Sequence, residues 1–319
     1  MKVIIWLFAA FVAFWAVPAL ADDYPTKPIH VLTTSSAGGL SDTFMRVLGD
    51  EMHKSLGQPI IIENRPGAAG GIAARSCTEA APDGHTICIL MADALIYNQF
   101  LFKKLSYDPD KLLPIVNLFN LIQVLVVNAD LKVKSVDELV AASKAKAGTF
   151  NYLTASLPLA SYMEYLKREK GADWVRVPFK GGGEATSAIL SGTTPIGLIG
   201  LGNVITLIKA GKMDALVLTN NIRSPELPNV PILTDIGYKG APSRTWYGLF
   251  APPGTPKAII DKINKEVTRV VSDKDFQQKY IIARSMVPAL NTPEQFATDI
   301  KADRVVAEQV VKESGLQPK

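Results

Sequence analysis

The sequence predicts an α/β protein of two lobes joined by two crossing segments, and three observations carry that reading. Short apolar runs alternate with glycine-rich turns and helical patterns along most of the chain. This strand–turn–helix order builds helix-covered, largely parallel sheets. The order occurs twice, on either side of a nearly continuous apolar run from Leu118 to Asn128. That run is too long for an ordinary strand and reads as a chain passing between two domains. A second apolar run, Trp246 to Ala251, reads as the return. Two lobes on two crossings make a hinged clamp with a ligand between them.

The N-terminus carries Lys2, an apolar stretch from Val3 to Val17, and the small-residue site Ala19-Leu20-Ala21. It reads as a secretory signal peptide over residues 1–21, cut before Asp22, because the apolar stretch is short for a span of about 20 residues. An exported protein of roughly 300 residues suits two medium α/β domains. The expected boundaries are residues 22–122 with 248–319 for the first lobe and residues 123–247 for the second.

The chain is organised around Ser35-Ser36-Ala37-Gly38-Gly39-Leu40-Ser41-Asp42. This turn follows the apolar run Ile29 to Leu32 and leads into a helix whose buried face is Phe44, Val47, Leu48, Met52 and Leu56. A strand, a glycine turn and a helix N-terminus make an anion site, since the backbone N–H groups and the dipole favour negative charge there. A second copy follows, with strand Ile60 to Ile62, a turn from Glu63 to Gly71 containing Gly67-Ala68-Ala69-Gly70, and a helix to about Ala80. Asp42 also has a structural explanation, because an acid in a first helical turn stabilises its N-terminus.

Strand Thr86 to Met91 comes next, then an irregular stretch through Lys103 to Pro109. Ser135 with Glu138 forms a capping box for the first helix after the crossing. In the second lobe, strands are expected at Phe150 to Leu153, Trp174 to Val177, Pro195 to Leu201 and Ala215 to Leu218. Helices are expected at Tyr162 to Lys170, Glu184 to Leu190 and Val204 to Ala210. Thr255-Pro256 reads as N-cap and first residue of a helix, and Thr292 with Gln295 caps the last one; both helices should cover the first lobe.

Cys77 and Cys88 are the two cysteines, on a helix and on the strand after it. An exported protein permits a bridge. A helix packed on a sheet usually holds the backbones about 10 Å apart, however, which favours two small buried residues and leaves a bridge as the alternative.

Catalysis finds little support. His30, His53 and His85 are scattered and make no metal motif. There is no G-x-S-x-G elbow, Ser143-Lys144-Ala145-Lys146 lacks companion motifs, and Gly200-x-Gly202 lacks the third glycine of a dinucleotide site. No cofactor is implied. The formal net charge of +4, with acids and bases interspersed, gives no basic stripe for nucleic acid.

At this point the residues resemble a known family. Tyr24-Pro25-Thr26-Lys27-Pro28-Ile29, Ala37-Gly38-Gly39 with Asp42, and Leu56-Gly57-Gln58-Pro59 through Glu63 to Gly71 are similar to the periplasmic solute-binding proteins of tripartite tricarboxylate transporters, the Bug family. Ala81-Pro82-Asp83-Gly84, Tyr107-Asp108-Pro109, Val177-Pro178-Phe179-Lys180-Gly181, Ala210-Gly211-Lys212 and Trp246-Tyr247-Gly248-Leu249-Phe250-Ala251-Pro252 follow in order. The resemblance implies a type II periplasmic-binding-protein fold without catalysis that closes on a small carboxylate in the periplasm. Its partners would be the membrane subunits of the transporter, with the chain itself a monomer. Carried over by position, the carboxylate contacts are Ser36, Ala37, Gly38, Gly39 and Asp42, with Gly67, Ala68, Ala69 and Gly70. Ser35, Asp93, Thr154, Ser156, Lys180, Gly181, Gly202 and Asn203 complete the candidate set.

The sequence departs from the family pattern in the pocket. Thr34 and Ser35 stand where the family usually has proline and an aromatic. Thr154 to Leu159 is shorter and more apolar than the usual hydroxyl-rich loop, and Gly192-Thr193-Thr194-Pro195 lacks the usual acid. These changes keep a carboxylate clamp but favour a ligand with a larger or less polar tail, such as an aromatic or branched monocarboxylate. Lys180 is the rival signal, since it would pair with a second charge. Two other readings are an adaptor that presents its closed form to a membrane sensor kinase, and a periplasmic enzyme, which lacks a poised general base.

Overall fold

The computed structural model describes residues 24–154, 157–177, 182–220, 222–238, 244–314 and 318. The expected signal peptide lies outside them. Two mixed sheets form separate centres. The first contains β1 (Ile29–Thr33), β2 (Ile60–Asn64), β3 (Thr86–Met91) and β4 (Leu113–Leu121). The second contains β5 (Gln123–Asn128), β6 (Asn151–Thr154), β7 (Val175–Val177), β8 (Ile196–Gly200) and β9 (Met213–Leu218). The chain then returns to the first sheet with β10 (Trp246–Ala251) and β11 (Met286–Pro288). The strand orders are β11-β4-β10-β3-β1-β2 and β7-β6-β8-β5-β9. In the first sheet β1 is parallel to β2 and β3, whereas β10 runs antiparallel between β3 and β4. In the second, β6 is parallel to β7 and β8, and β5 runs antiparallel to β8 and β9.

Helices cover both faces of each sheet. The first sheet carries α1 (Leu40–Leu56), α2 (Gly71–Thr78) and the short α3 (Asn98–Leu101). The second carries α4 (Val136–Ala145), α5 (Leu157–Lys170), α6 (Gly182–Ser191) and α7 (Ile205–Lys209). After the return come α8 (Lys257–Val271), α9 (Lys274–Tyr280) and α10 (Pro293–Ser314). The α1 and α8 faces close one core with Phe44, Leu48, Ile263 and Val267, and α2 and α10 close the other with Ala73, Ala74, Phe296 and Val310. Thr292 N–H donates to Gln295 Oε1 at 3.0 Å and Gln295 N–H to Thr292 Oγ1 at 3.2 Å, the reciprocal cap expected of α10.

The outbound crossing is the single residue Ile122 between β4 and β5, inside the long apolar run. The return differs from expectation. Trp246 to Ala251 lies wholly within the first sheet, so the passage between lobes falls before it. The α8 helix begins at Lys257, and Thr255 Oγ1 donates to Pro252 O at 2.8 Å rather than capping it. The α5 helix starts five residues earlier than the periodicity suggested, with Pro158 in its first turn, where its missing N–H costs nothing.

The two cysteines are joined, which corrects the expectation of free thiols. Cys77 and Cys88 form a disulfide with their Cα atoms 6.2 Å apart. The reason is the buried face of α2, made of Gly71, Ala73, Ala74 and Cys77. Side chains this small let the helix approach the sheet more closely than a leucine-faced helix does.

The lobes also touch away from the crossings. The α10 helix lies against α5 of the second lobe. Ser285 Oγ donates to Glu226 Oε2 across the lobes, and a Cβ on Gly202 would strike the Arg284 carbonyl oxygen.

Candidate functional site

The two tandem turns lie side by side because β1 and β2 are adjacent and parallel. They open into a cleft of about 820 Å³ between the lobes. Thr34, Ser35, Ser36, Gly38 and Gly39 line it from the first turn, and Gly67, Ala69 and Gly70 from the second. The Gln123 side lies at the outbound crossing, Gly200, Gly202 and Asn203 lie in the second lobe, and Thr245 and Tyr247 lie at the return.

Asp42 is the organiser of the first turn. Its carboxylate is buried and accepts from Gly38 N–H at 2.8 Å, from Asn64 Nδ2 at 3.0 Å, and from Arg46 Nη2 and Nε at 2.8 and 3.2 Å. Burial alone would raise its pKa; the bonds from Arg46, Gly38 and Asn64 outweigh that and hold it below the usual carboxylate range. Its acceptor capacity is thus directed into the loop, away from the cleft wall. The Gly39 N–H donates to Ser36 O at 2.9 Å. The amides of Gly38 and Gly39 therefore shape the turn, and what faces the cleft is hydroxyl-rich.

Behind the cleft wall, cleft-lining Ser35 joins a chain of buried hydroxyls. Ser41 Oγ lies 2.5 Å from Thr33 Oγ1 and 2.6 Å from Ser35 Oγ. The Tyr247 phenol joins Ser35, Thr34 and Ser41, and burial above all pushes its pKa up to about 12, so it stays protonated. Ser35, where the family pattern has an aromatic, thus sits against an aromatic delivered from β10.

The second turn is held in an uncommon backbone conformation. Gly67, Ala68, Ala69 and Gly70 have φ of 118°, 48°, 50° and 83° in succession. Two alanines in the left-handed region carry strain that the surroundings must over-determine. Asn98 Nδ2 supplies a support, donating to Ala69 O at 3.1 Å and to the Tyr107 hydroxyl at 3.0 Å, and that hydroxyl donates to Ala94 O at 2.7 Å. Gly70 packs tightly on the first turn, since an added Cβ would lie 3.1 Å from Thr34 Cγ2.

Of the other candidates, Gly202 and Asn203 reach the cleft. Asp93 and Thr154 are buried and do not line it, and neither do Ala37 and Ala68. Ser156, Lys180 and Gly181 lie outside the described residues. Leu159, Leu198, Ile199 and Leu201 give the second lobe an apolar wall. Sequence reasoning missed Tyr247, Gln123, Arg284 and Ser285. Gln123 and Tyr247 lay in stretches already singled out as crossings, whereas Arg284 sits in a segment without a motif and reaches the cleft by tertiary folding alone. Among the described residues no group of three or more histidines, cysteines or acids is placed to hold a metal.

Residues 44–316 match the model of the tripartite tricarboxylate transporter family receptor. Protein BugT of Bordetella pertussis is 30% identical over 308 residues, covering 95% of this chain and 94% of that protein. Among solved structures, MatC from Rhodopseudomonas palustris with bound malate is 31% identical, with a TM-score of 0.80 over 90% of this chain and 100% of that one. The periplasmic binding protein BugD is 26% identical, with a TM-score of 0.82 over 93% and 100%. With the two-lobe fold, the tandem turns and these matches together, the chain belongs to the tripartite tricarboxylate transporter family of receptors.

Proposed function

We propose that this chain is a periplasmic solute-binding protein without catalytic activity. It captures a small organic carboxylate between its lobes and delivers it to the membrane subunits of a tripartite tricarboxylate-type transporter. The observation that carries this is the cleft itself. Two strand–turn–helix units open side by side into it, and its described walls hold one arginine and no acid. An anion is favoured by such walls. The malate bound to MatC supports the same chemistry. The Ile122 crossing and the passage before Trp246 are the hinges on this reading. The apolar wall of Leu159, Leu198, Ile199 and Leu201 suits a ligand with a less polar body behind its carboxylate.

The test is mass spectrometry of what co-purifies with protein exported to the periplasm, followed by calorimetry with the acid identified. A carboxylate bound one to one, unchanged after prolonged incubation, is expected. A non-acidic solute, or turnover of the bound acid, would refute the reading.

A further inference from the structure

We propose that Arg284 pairs with the anionic group of the ligand, and that the cleft thereby selects organic acids that carry no ammonium group. This rests on the carboxylate reading above and narrows it. Arg284 follows α9 in the first lobe, and its Nη1 donates to Thr43 Oγ1 at 3.1 Å. That bond places the guanidinium beside the first turn of α1, the end at which the helix dipole already favours an anion. A guanidinium has five N–H donors in a planar fork, so one bond to a hydroxyl leaves a face for a carboxylate. Arg46, Arg244 and Arg304 each meet a carboxylate, whereas among the described residues Arg284 has none in salt-bridge range.

The position of Arg284 is fixed from both lobes. Its carbonyl abuts Gly202, and the next residue, Ser285, is bonded to Glu226. The backbone at Arg284 therefore stands where the lobes meet, and the Thr43 bond holds its guanidinium at the first turn of α1, on a residue that lines the cleft.

The acids nearby are committed elsewhere. Asp42 is bonded by Arg46, Gly38 and Asn64, and Glu226 by Lys209 and Ser285. Asp93 is buried and does not reach the cleft wall. Gln123, only 5% exposed, lines the cleft with its Oε1 unpartnered, which supplies polarity without charge. An ammonium group entering this cleft would lose water, meet a guanidinium of like charge and find no carboxylate on the described walls.

The test uses pairs of acids that differ by one amino group: succinate and aspartate, glutarate and glutamate, 3-phenylpropionate and phenylalanine, 4-methylpentanoate and leucine. Calorimetry on the full mature chain is compared with Arg284→Gln and Arg284→Lys, with melting curves to check folding. In every pair that binds, the acid without nitrogen should bind at least about tenfold more tightly than its amino partner. Arg284→Gln should lose at least about tenfold in affinity, and Arg284→Lys should recover part of it. An amino acid binding as tightly as its partner, or Arg284→Gln binding like the wild type, overturns this inference and leaves carboxylate capture standing. The amino comparison needs only the wild type, so it decides even where a variant fails to fold. A further pair is built on the acid that co-purifies with the protein, so the comparison is always made on a bound ligand; a co-purifying solute that is not an acid takes the carboxylate reading down with this inference.

Discussion

Asn64 Nδ2 donates to Asp42 Oδ1 at 3.0 Å and to Ser35 O at 2.9 Å, so the last residue of β2 holds the turn that follows β1. One carboxamide ties the two halves of the proposed clamp together. Asn64→Ala should therefore leave Asp42 under-bonded and cost about 1–2 kcal/mol, and it should weaken ligand binding although Asn64 is not among the residues lining the cleft. Denaturant unfolding checks the first effect and calorimetry the second.

The same network sets a pH dependence. Asp42 is held below its ordinary range in the folded state, so it takes up a proton more readily when unfolded. Its contribution to stability is present above the unfolded value of about 3.9 and is lost as the pH falls through the lower folded value. Asp42→Asn should melt below the wild type at neutral pH, and the gap should close as the pH is taken below about 4. A gap that stays constant down to pH 3 would assign the effect to packing.

The left-handed run in the second turn predicts opposite effects on stability and binding. Ala69 sits at φ 50°, where glycine is free of the Cβ penalty. Ala69→Gly should raise stability by up to about 1 kcal/mol while loosening the turn and weakening binding. Gly70→Val should do harm on both counts, since φ is 83° and the added Cβ meets Thr34 and Ala94. Gly39→Val would press on Ser35 Cβ at 2.7 Å and Ser36 O at 2.9 Å, so it should reshape the first turn rather than merely block the ligand.

The disulfide closes a separation of 11 residues, and both sulfurs are in the core. The Cys77→Ala, Cys88→Ala double variant should lose about 2–3 kcal/mol. Thermal melts of oxidised and reduced wild type should separate in the same direction, and melts that coincide would contradict the contribution assigned to the bridge.

Much of the fold was legible because burial periodicity is local. The α1 face with Phe44, Leu48 and Met52, the tandem turns, and the reciprocal cap of Thr292 and Gln295 can all be read within a few residues. What was not legible depends on distance. The disulfide required knowing how closely the alanine face of α2 approaches β3. Tyr247 and Arg284 reach Ser35 and Thr43 from more than 200 residues away, and no spacing rule links them. The bond between Gly38 and Asp42 was likewise not legible: the motif marks both as candidate ligand contacts, and only the fold shows Gly38 N–H donating to Asp42 Oδ2 at 2.8 Å.

Closure predicts its own signature. Ser285 and Glu226 meet across the lobes, and Glu226 also accepts from Lys209 Nζ at 2.8 Å. Burial alone would raise the Glu226 carboxyl, and the Lys209 and Ser285 bonds outweigh it and hold it low, so it is ionised at neutral pH. Glu226→Ala should favour the open form, which small-angle scattering would report as a larger radius at subsaturating ligand. Identical scattering of the wild type with and without saturating ligand would refute hinged closure.

The central claim is that the paired turns hold a carboxylate, and calorimetry of wild type and Gly70→Val tests it most directly. The panel is succinate, malate, citrate and glutamate against benzoate and branched-chain acids. The account predicts that at least one acid binds the wild type one to one, that binding falls steeply in Gly70→Val, and that the variant remains folded by circular dichroism. Wild-type affinity in a folded Gly70→Val, or no binding of any acid by the wild type, would contradict it.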